Sequence, residues 1–265
     1  MPLAARDHGP ATEIELSGLP GTGDQVSVWL VGGILVDTGG SLTGADLLGW
    51  LGDRRVEALA LGHSHEDHSA LAGQFARRGI PVHGSRGTAA RLRRPARVPD
   101  YRARIWGQPE PVRVLPPHGL PLEPLPLPGH SPDQLGYLDR RSGWLFSGDL
   151  VLRRRQRIAM PGEDPWAAMA SLRSALDLGP AALATSHRGL IIEPEPILRE
   201  QLGYLEELAG RVLDMRRHGL SVAAIVREAL GGEAELPGSG TTWKEVSGGE
   251  FSGARWVRAF LKGRA

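Results

Sequence analysis

His63-Ser64-His65-Glu66-Asp67-His68 places three of the nine histidines of a 265-residue chain within six positions, interleaved with acids. The stretch follows Val56-Glu57-Ala58-Leu59-Ala60-Leu61, an apolar run closed by Gly62 that reads as a short buried strand. Alternate residues of an extended segment point the same way, so the imidazoles of His63 and His65 can reach one ion. Asp67 and His68 stand where a helix is expected to start and can face a second ion nearby.

Three more segments repeat the design. Leu125-Pro126-Leu127-Pro128-Gly129 delivers His130, Trp144-Leu145-Phe146-Ser147-Gly148 delivers Asp149, and Ala182-Leu183-Ala184-Thr185-Ser186 delivers His187. In packed α/β architectures, strand ends form the edge where ligands bind. The small residues before each candidate ligand let the backbone turn sharply and approach a bound group.

The pattern His63-x-His65-x-Asp67-His68 resembles the signature of the metallo-β-lactamase superfamily. The resemblance extends to Leu35-Val36-Asp37-Thr38-Gly39 before it. It continues with Gly129-His130-Ser131-Pro132-Asp133-Gln134-Leu135-Gly136, Leu145-Phe146-Ser147-Gly148-Asp149 and Thr185-Ser186-His187, in the family's order. It implies an α/β fold, a four-layer αββα sandwich over residues 1–193, with residues 194–265 as a helical C-terminal extension packed on it. It also implies that His63, His65 and His130 hold one metal ion, that Asp67, His68 and His187 hold a second, and that Asp149 bridges both. Cysteine serves as a ligand in some β-lactamases of the fold. The all-His/Asp set here looks more like glyoxalase II, lactonases and RNase Z.

Two ions about 3.5–4 Å apart can hold a hydroxide between them near neutral pH and polarise the oxygen under attack. The expected function is a metal-dependent hydrolase of an ester, thioester, lactone or related small substrate, an anionic one included. Asp67 is the expected catalytic residue, orienting the hydroxide or accepting a proton. Histidine and carboxylate ligands suit two divalent ions, zinc first, and also iron or manganese. Three alternatives stay open: an RNase Z-like phosphodiesterase, a mononuclear iron enzyme resembling persulfide dioxygenases, and an inactive metal-stabilised binding module.

Composition narrows the field. A 41% hydrophobic chain of this length suits one large domain, or one with a small appendage. Net charge is +1, so overall charge favours neither nucleic acid nor membrane as a partner. There is no cysteine, which excludes disulfides and thiolate metal sites and fits a cytoplasmic location. Residues 1–7 lack the apolar stretch of a signal peptide, and no run of about 18 apolar residues suggests a membrane span.

Strands are expected at residues 13–16, 25–30, 34–37, 56–61, 81–83, 125–127, 136–139, 144–147 and 182–185. Helices are expected at 45–51, 69–78, 87–92, 166–178, 197–217, 222–230 and 253–261, and a strand-rich front gives way to a helix-rich back near Pro194. Residues 93–119, rich in Arg and Pro, read as a long irregular loop. Among weaker features, Arg153-Arg154-Arg155-Gln156-Arg157 reads as a solvated basic turn, or as an anion contact near Asp149. Arg188 is balanced between substrate contact and pairing with an acid. His83 reads as structural, Glu66 as pointing away, and Asp37 as stabilising a turn or orienting a ligand. The tail after Pro194 is open to three roles: capping the site, a homodimer contact, or binding a partner. Its segment 238–243 reads as a loop or lid.

Overall fold

The computed structural model describes residues 3–18, 25–152, 155–236 and 239–262. The chain forms two compact units. The first comprises Met1–Leu127, Asp133–Asp149 and Pro180–Pro194; the second comprises Pro128–Pro132, Leu150–Gly179 and Glu195–Ala265.

The first unit holds two sheets. β1 (Leu3–Asp7), β2 (Thr12–Ser17), β3 (Gln25–Val31), β4 (Ile34–Val36), β5 (Ala58–Ala60) and β6 (Val82–His83) lie side by side in chain order. The first four pair antiparallel, and β4, β5 and β6 run parallel. The helices of this half are α1 (Gly44–Leu51), α2 (Glu66–Ser69), α3 (Ala72–Arg77), α4 (Arg86–Arg93) and α5 (Asp100–Trp106). β7 (Glu123–Pro126), β8 (Leu135–Asp139), β9 (Trp144–Gly148), β10 (Ala182–Thr185) and β11 (Leu190–Ile192) form the second sheet, in the order β11-β10-β9-β8-β7.

The period of two along each strand sorts side chains between two cores. Val26 and Val28 of β3, Leu35 of β4 and Leu59 of β5 join Leu47, Leu51 and Phe75 of the helices in one cluster. Trp29, Val31, Ile34, Val36, Ala58 and Ala60 point the other way and meet Tyr137, Phe146, Ala182 and Ala184 of the second sheet. Trp29 sets its ring edge-on to Trp144 and Phe146, at centroid distances of 6.5 and 6.1 Å. These contacts fix the two sheets face to face; truncating such a buried tryptophan costs about 3–5 kcal/mol.

In the second unit, α6 (Pro165–Leu178) opens on Asp164, whose carboxylate accepts from the backbone N–H of Trp166 and Ala167. Gly179 ends it in the left-handed conformation, φ 59°. Next come α7 (Glu195–Arg217), α8 (Val222–Leu230), α9 (Trp243–Val246) and α10 (Gly253–Leu261). Leu198, Leu205, Leu208 and Val212 make the buried stripe of α7. The carbonyl of Gln156 accepts from Tyr204 Oη at 2.6 Å and Trp256 Nε1 at 3.1 Å, tying α7 and α10 to the segment before α6. Among the described residues, no helix is long and apolar enough to cross a membrane.

The structure corrects the reading of residues 93–119 as irregular throughout. α5 runs from Asp100 to Trp106 between prolines, with Pro99 at its N-cap, and buries Trp106. It also adds β1, β11 and α9, and in place of one helix over 69–78 it forms α2 from the expected start beside Asp67 and then α3.

Candidate metal centre

β5 stops at Ala60 because the next residues must turn out of the sheet. Leu61 N–H donates to His83 O at 2.8 Å, Tyr137 Oη donates to Leu61 O at 2.9 Å, and Leu135 N–H donates to Gly62 O at 2.7 Å. The chain thus leaves the sheet edge held by β6 on one side and β8 on the other. Ser64 N–H donates to Asp133 Oδ2 at 3.0 Å, and Ser69 Oγ folds back onto the carbonyls of Ser64 and His65 at 3.1 and 2.9 Å. Asp133 is buried; it also accepts from Thr88 Oγ1 at 2.9 Å and lies 3.5 Å from Arg91 Nε.

The loop and the first turn of α2 bring the side chains together. His63 Nε2 lies 2.9 Å from His65 Nδ1, and the His63 and His68 rings stand 4.0 Å apart. His68 Nε2 is 3.5 Å from Asp67 Oδ2 and 3.4 Å from Asp149 Oδ2. His187 Nε2 is 3.3 Å from Asp67 Oδ2 and 3.6 Å from Asp149 Oδ1. Asp149 Oδ2 is 4.0 Å from His63 Nε2. Two ligand sets emerge within the first unit, His63–His68–Asp149 and Asp67–His68–His187, each with its donor atoms within 4.8 Å of one another.

Two of the imidazoles are each tethered through the far nitrogen. His68 Nδ1 meets Asp37 Oδ2 at 2.8 Å, and His187 Nδ1 donates to the carbonyl of Gln25 at 2.7 Å. A proton fixed on Nδ1 leaves the Nε2 lone pair free to bind an ion in the neutral ring. Both Nε2 atoms face carboxylates, and His68 Nε2 is buried with no hydrogen bond among the described residues. This donor set fits a divalent cation.

Asp37 is the anchor of the arrangement. It is buried, and its φ of 62° is one that Asp and Asn tolerate better than most side chains. Its second oxygen accepts from Gly62 N–H at 2.7 Å. Next to it, Thr38 donates from both its N–H and its Oγ1 to His68 O, at 2.8 and 2.9 Å. The turn after β4 therefore grips His68 through side chain and backbone together.

Without an ion, the cluster is held by charge. Burial presses the His68 imidazole down, but Asp149, Asp67 and Asp37 raise it well above its ordinary value. Burial likewise opposes protonation of His187, and Asp149 and Asp67 more than offset it, to about 9. Burial pushes Asp67 up, while His68 and His187 pull it well below the usual carboxylate range.

His130 belongs to Pro128–Pro132 of the second unit, where its Nδ1 lies 3.7 Å from Glu163 Oε1. The weaker candidates find other places. His83 Nδ1 is satisfied by Pro116 O at 2.7 Å, as a structural histidine would be. Glu66 is buried and turned onto Arg102 Nε at 3.1 Å, on the α5 helix that the sequence reading lacked. Arg157 donates to the carbonyls of Gly231 and Gly232 at the end of α8, both at 3.2 Å, whereas Arg153, Arg154 and Gly238 lie outside the described residues. Arg188 Nη1 is buried and makes no hydrogen bond among the described residues. Sequence reasoning assigned no role to Asp133 or to the Gln25 carbonyl. Asp133 carried a signal, its place three residues after His130; the carbonyl carried none.

Comparison with known proteins agrees with this geometry. The family model described as the metallo-beta-lactamase superfamily matches residues 21–187. The uncharacterized protein YobT of Bacillus subtilis (strain 168) is 30% identical over 91 residues, 29% of this chain and 39% of that protein. The chain thus matches well under half the length of that relative. Among solved structures, the metallo-beta-lactamase family protein TTHA1429 from Thermus thermophilus superposes with a TM-score of 0.68 at 18% identity, covering 93% of this chain and 91% of that one. TTHA1623, solved in a di-iron-bound form, gives 0.54 at 28% identity over 67% and 94%. The metallo-beta-lactamase FIM-1 from Pseudomonas aeruginosa, in a mono-zinc form, gives 0.61 at 16% identity over 78% and 96%.

Proposed function

The chain belongs to the metallo-β-lactamase superfamily, and on that footing we propose that it is a metal-dependent hydrolase of a small ester, thioester or lactone bearing an anionic group. The observation that carries the reading is the meeting of Asp67, His68, Asp149 and His187 at strand ends, with both imidazoles tethered through Nδ1. Asp67, His68 and His187 would hold one ion, Asp149 would bridge, and His63 and His65 would hold the second together with His130. His130 enters on its motif. Zinc ranks first for nitrogen and oxygen donors, with iron or manganese next; the mono-zinc and di-iron forms of the two structural neighbours support that order of trial.

When bound, divalent ions polarise the oxygen under attack and make water reactive near neutral pH. The chain's own groups do the rest. Asp37 holds the His68 ring so that Nε2 faces the acids, and the Gln25 carbonyl does the same for His187. Asp67, beside His68 and His187, can orient the attacking water. Arg188, next to His187 with a buried Nη1 that makes no hydrogen bond among the described residues, supports an anionic substrate group, which a planar guanidinium recognises well.

The test is metal analysis of the purified protein, then hydrolysis assays across thioesters, lactones, phosphodiesters and β-lactams. The expected result is about two metals per chain and an activity abolished by chelation or by His65→Ala. Arg188→Ala should raise KM for anionic substrates and spare kcat. Full activity in metal-free protein overturns the reading.

A further inference from the structure

A cleft of about 580 Å³ opens on the first unit, and none of the candidate metal ligands lines it. α4 lines one wall with Arg86, Ala89, Ala90 and Arg93. Their spacing of three, four and seven places them on one helix face. Arg86 and Arg93 therefore stand two turns apart, about 10.5 Å along the axis. The facing wall carries Arg113 between the buried Val112 and Val114. Val112 N–H donates to Leu92 O at 2.9 Å, which fixes the two walls against each other.

The charge of this region is one-sided. Residues 77–113 hold ten arginines against two acids, in a chain whose net charge is +1. Both acids are already engaged, Glu110 with Arg77 and Asp100 with Arg97. On α4 itself, Arg91 turns to Asp133. Arg86, Arg93 and Arg113 are exposed and enter no ion pair or hydrogen bond among the described residues. Arg86 also sits in the first turn of α4, where no acid offsets the positive end of the helix dipole.

We propose that this cleft binds a small organic molecule carrying two phosphate groups. One phosphate pairs with Arg86 and the other with Arg93, the uncharged middle lies over Ala89 and Ala90, and Arg113 closes from the facing wall. Guanidinium forks match phosphate oxygens in pairs. The volume falls in the range of small-molecule sites, roughly 300–1,000 Å³. No aromatic side chain lines the cleft, so it lacks the stacking platform on which single-stranded nucleic acid is held.

Calorimetric titration of the full-length, metal-loaded protein tests the proposal, with fructose 1,6-bisphosphate, fructose 6-phosphate and a short single-stranded RNA as probes. The bisphosphate should fill one site per chain, and the monophosphate should bind about tenfold more weakly. Arg86→Ala and Arg93→Ala should each lower bisphosphate affinity by about tenfold. Arg94→Ala, which removes a neighbouring charge outside the cleft, should leave it unchanged. Absence of saturable binding, equal affinity for the two sugar phosphates, or tighter binding of the RNA through the same arginines overturns it. So does binding that is lost in His68→Ala and kept in the arginine variants, which would place the probe at the metal centre.

Discussion

The first unit concentrates charge in two places and treats it in opposite ways. At the end of β5, buried acids and imidazoles interleave, and His68 and His187 are each held by one nitrogen so that the other faces a carboxylate. Along α4, the cleft arginines Arg86 and Arg93 are exposed and have no acidic partner among the described residues. The difference reflects the cost of desolvation. A buried ionic group must be compensated by partners inside the protein, so a cation centre has to be built and tethered before any ion arrives. A guanidinium on the surface keeps its water and can wait unpaired for an anion. Buried order marks the first kind of site; an unbalanced surface marks the second.

The sharpest way to break the contrast is at Asp37. Asp37→Asn keeps the size of the side chain and tolerates the backbone φ of 62°. Its amide N–H₂ would face His68 Nδ1, moving the ring proton to Nε2 and blocking the atom that faces Asp67 and Asp149. Metal affinity should fall by about 10–100-fold, the range for lost support of a metal-ligating histidine. Competition with a chromogenic chelator reads the change, and wild-type affinity in the variant would remove Asp37 from the centre.

The next effect is on pH. His187 is raised from 6.5 to about 9. A histidine whose folded value is raised contributes stability that is complete below its ordinary value and lost as pH climbs through the raised one. The metal-free protein should therefore melt at progressively lower temperature between about pH 6.5 and 9. Over the same window metal affinity should rise, because the ion must displace protons from His187 and His68. Proton release on metal addition, followed with an indicator dye, measures this directly. A melting temperature that climbs across that window would show the imidazoles to be neutral already.

The smallest effect belongs to an arginine with a structural task. Arg157→Ala removes the cation from the C-terminal carbonyls of α8 and should cost at most about 1 kcal/mol in denaturant unfolding. Arg93→Ala, with no such partner, should leave stability within about 0.5 kcal/mol of the parent. Equal losses in the two variants would erase the distinction between structural and waiting arginines.

What could be read in the sequence follows from range. The strands announce themselves as short apolar-rich runs between Gly- and Pro-containing turns, as at residues 25–30 and 34–37, and the ligand cluster by density, because these signals are local. β1 is mostly exposed Ala, Arg and Asp at a sheet edge, and three-residue β11 offers no period to detect. α5 hides among prolines: Pro99 looks like a breaker and is in fact the N-cap. In the centre, His68 and Asp67 were legible as residue types. The partners that aim them were not, since the Gln25 carbonyl and the Asp133 carboxylate acquire their roles only once distant segments meet.

That meeting has a consequence for how the protein comes to life. The hydrogen bond from His187 to the Gln25 carbonyl joins residues 162 positions apart, and Trp29 Nε1 reaches Thr185 O across 156. Such closures come late in folding, since the entropy of a long loop is lost before its contacts return anything. During synthesis, the cluster around His68 emerges long before the strand that delivers His187. The four-residue α2 can at best offer a loose and incomplete grip until β10 docks beside β9. An ion that needs both His68 and His187 can therefore be held only after β10 has docked beside β9.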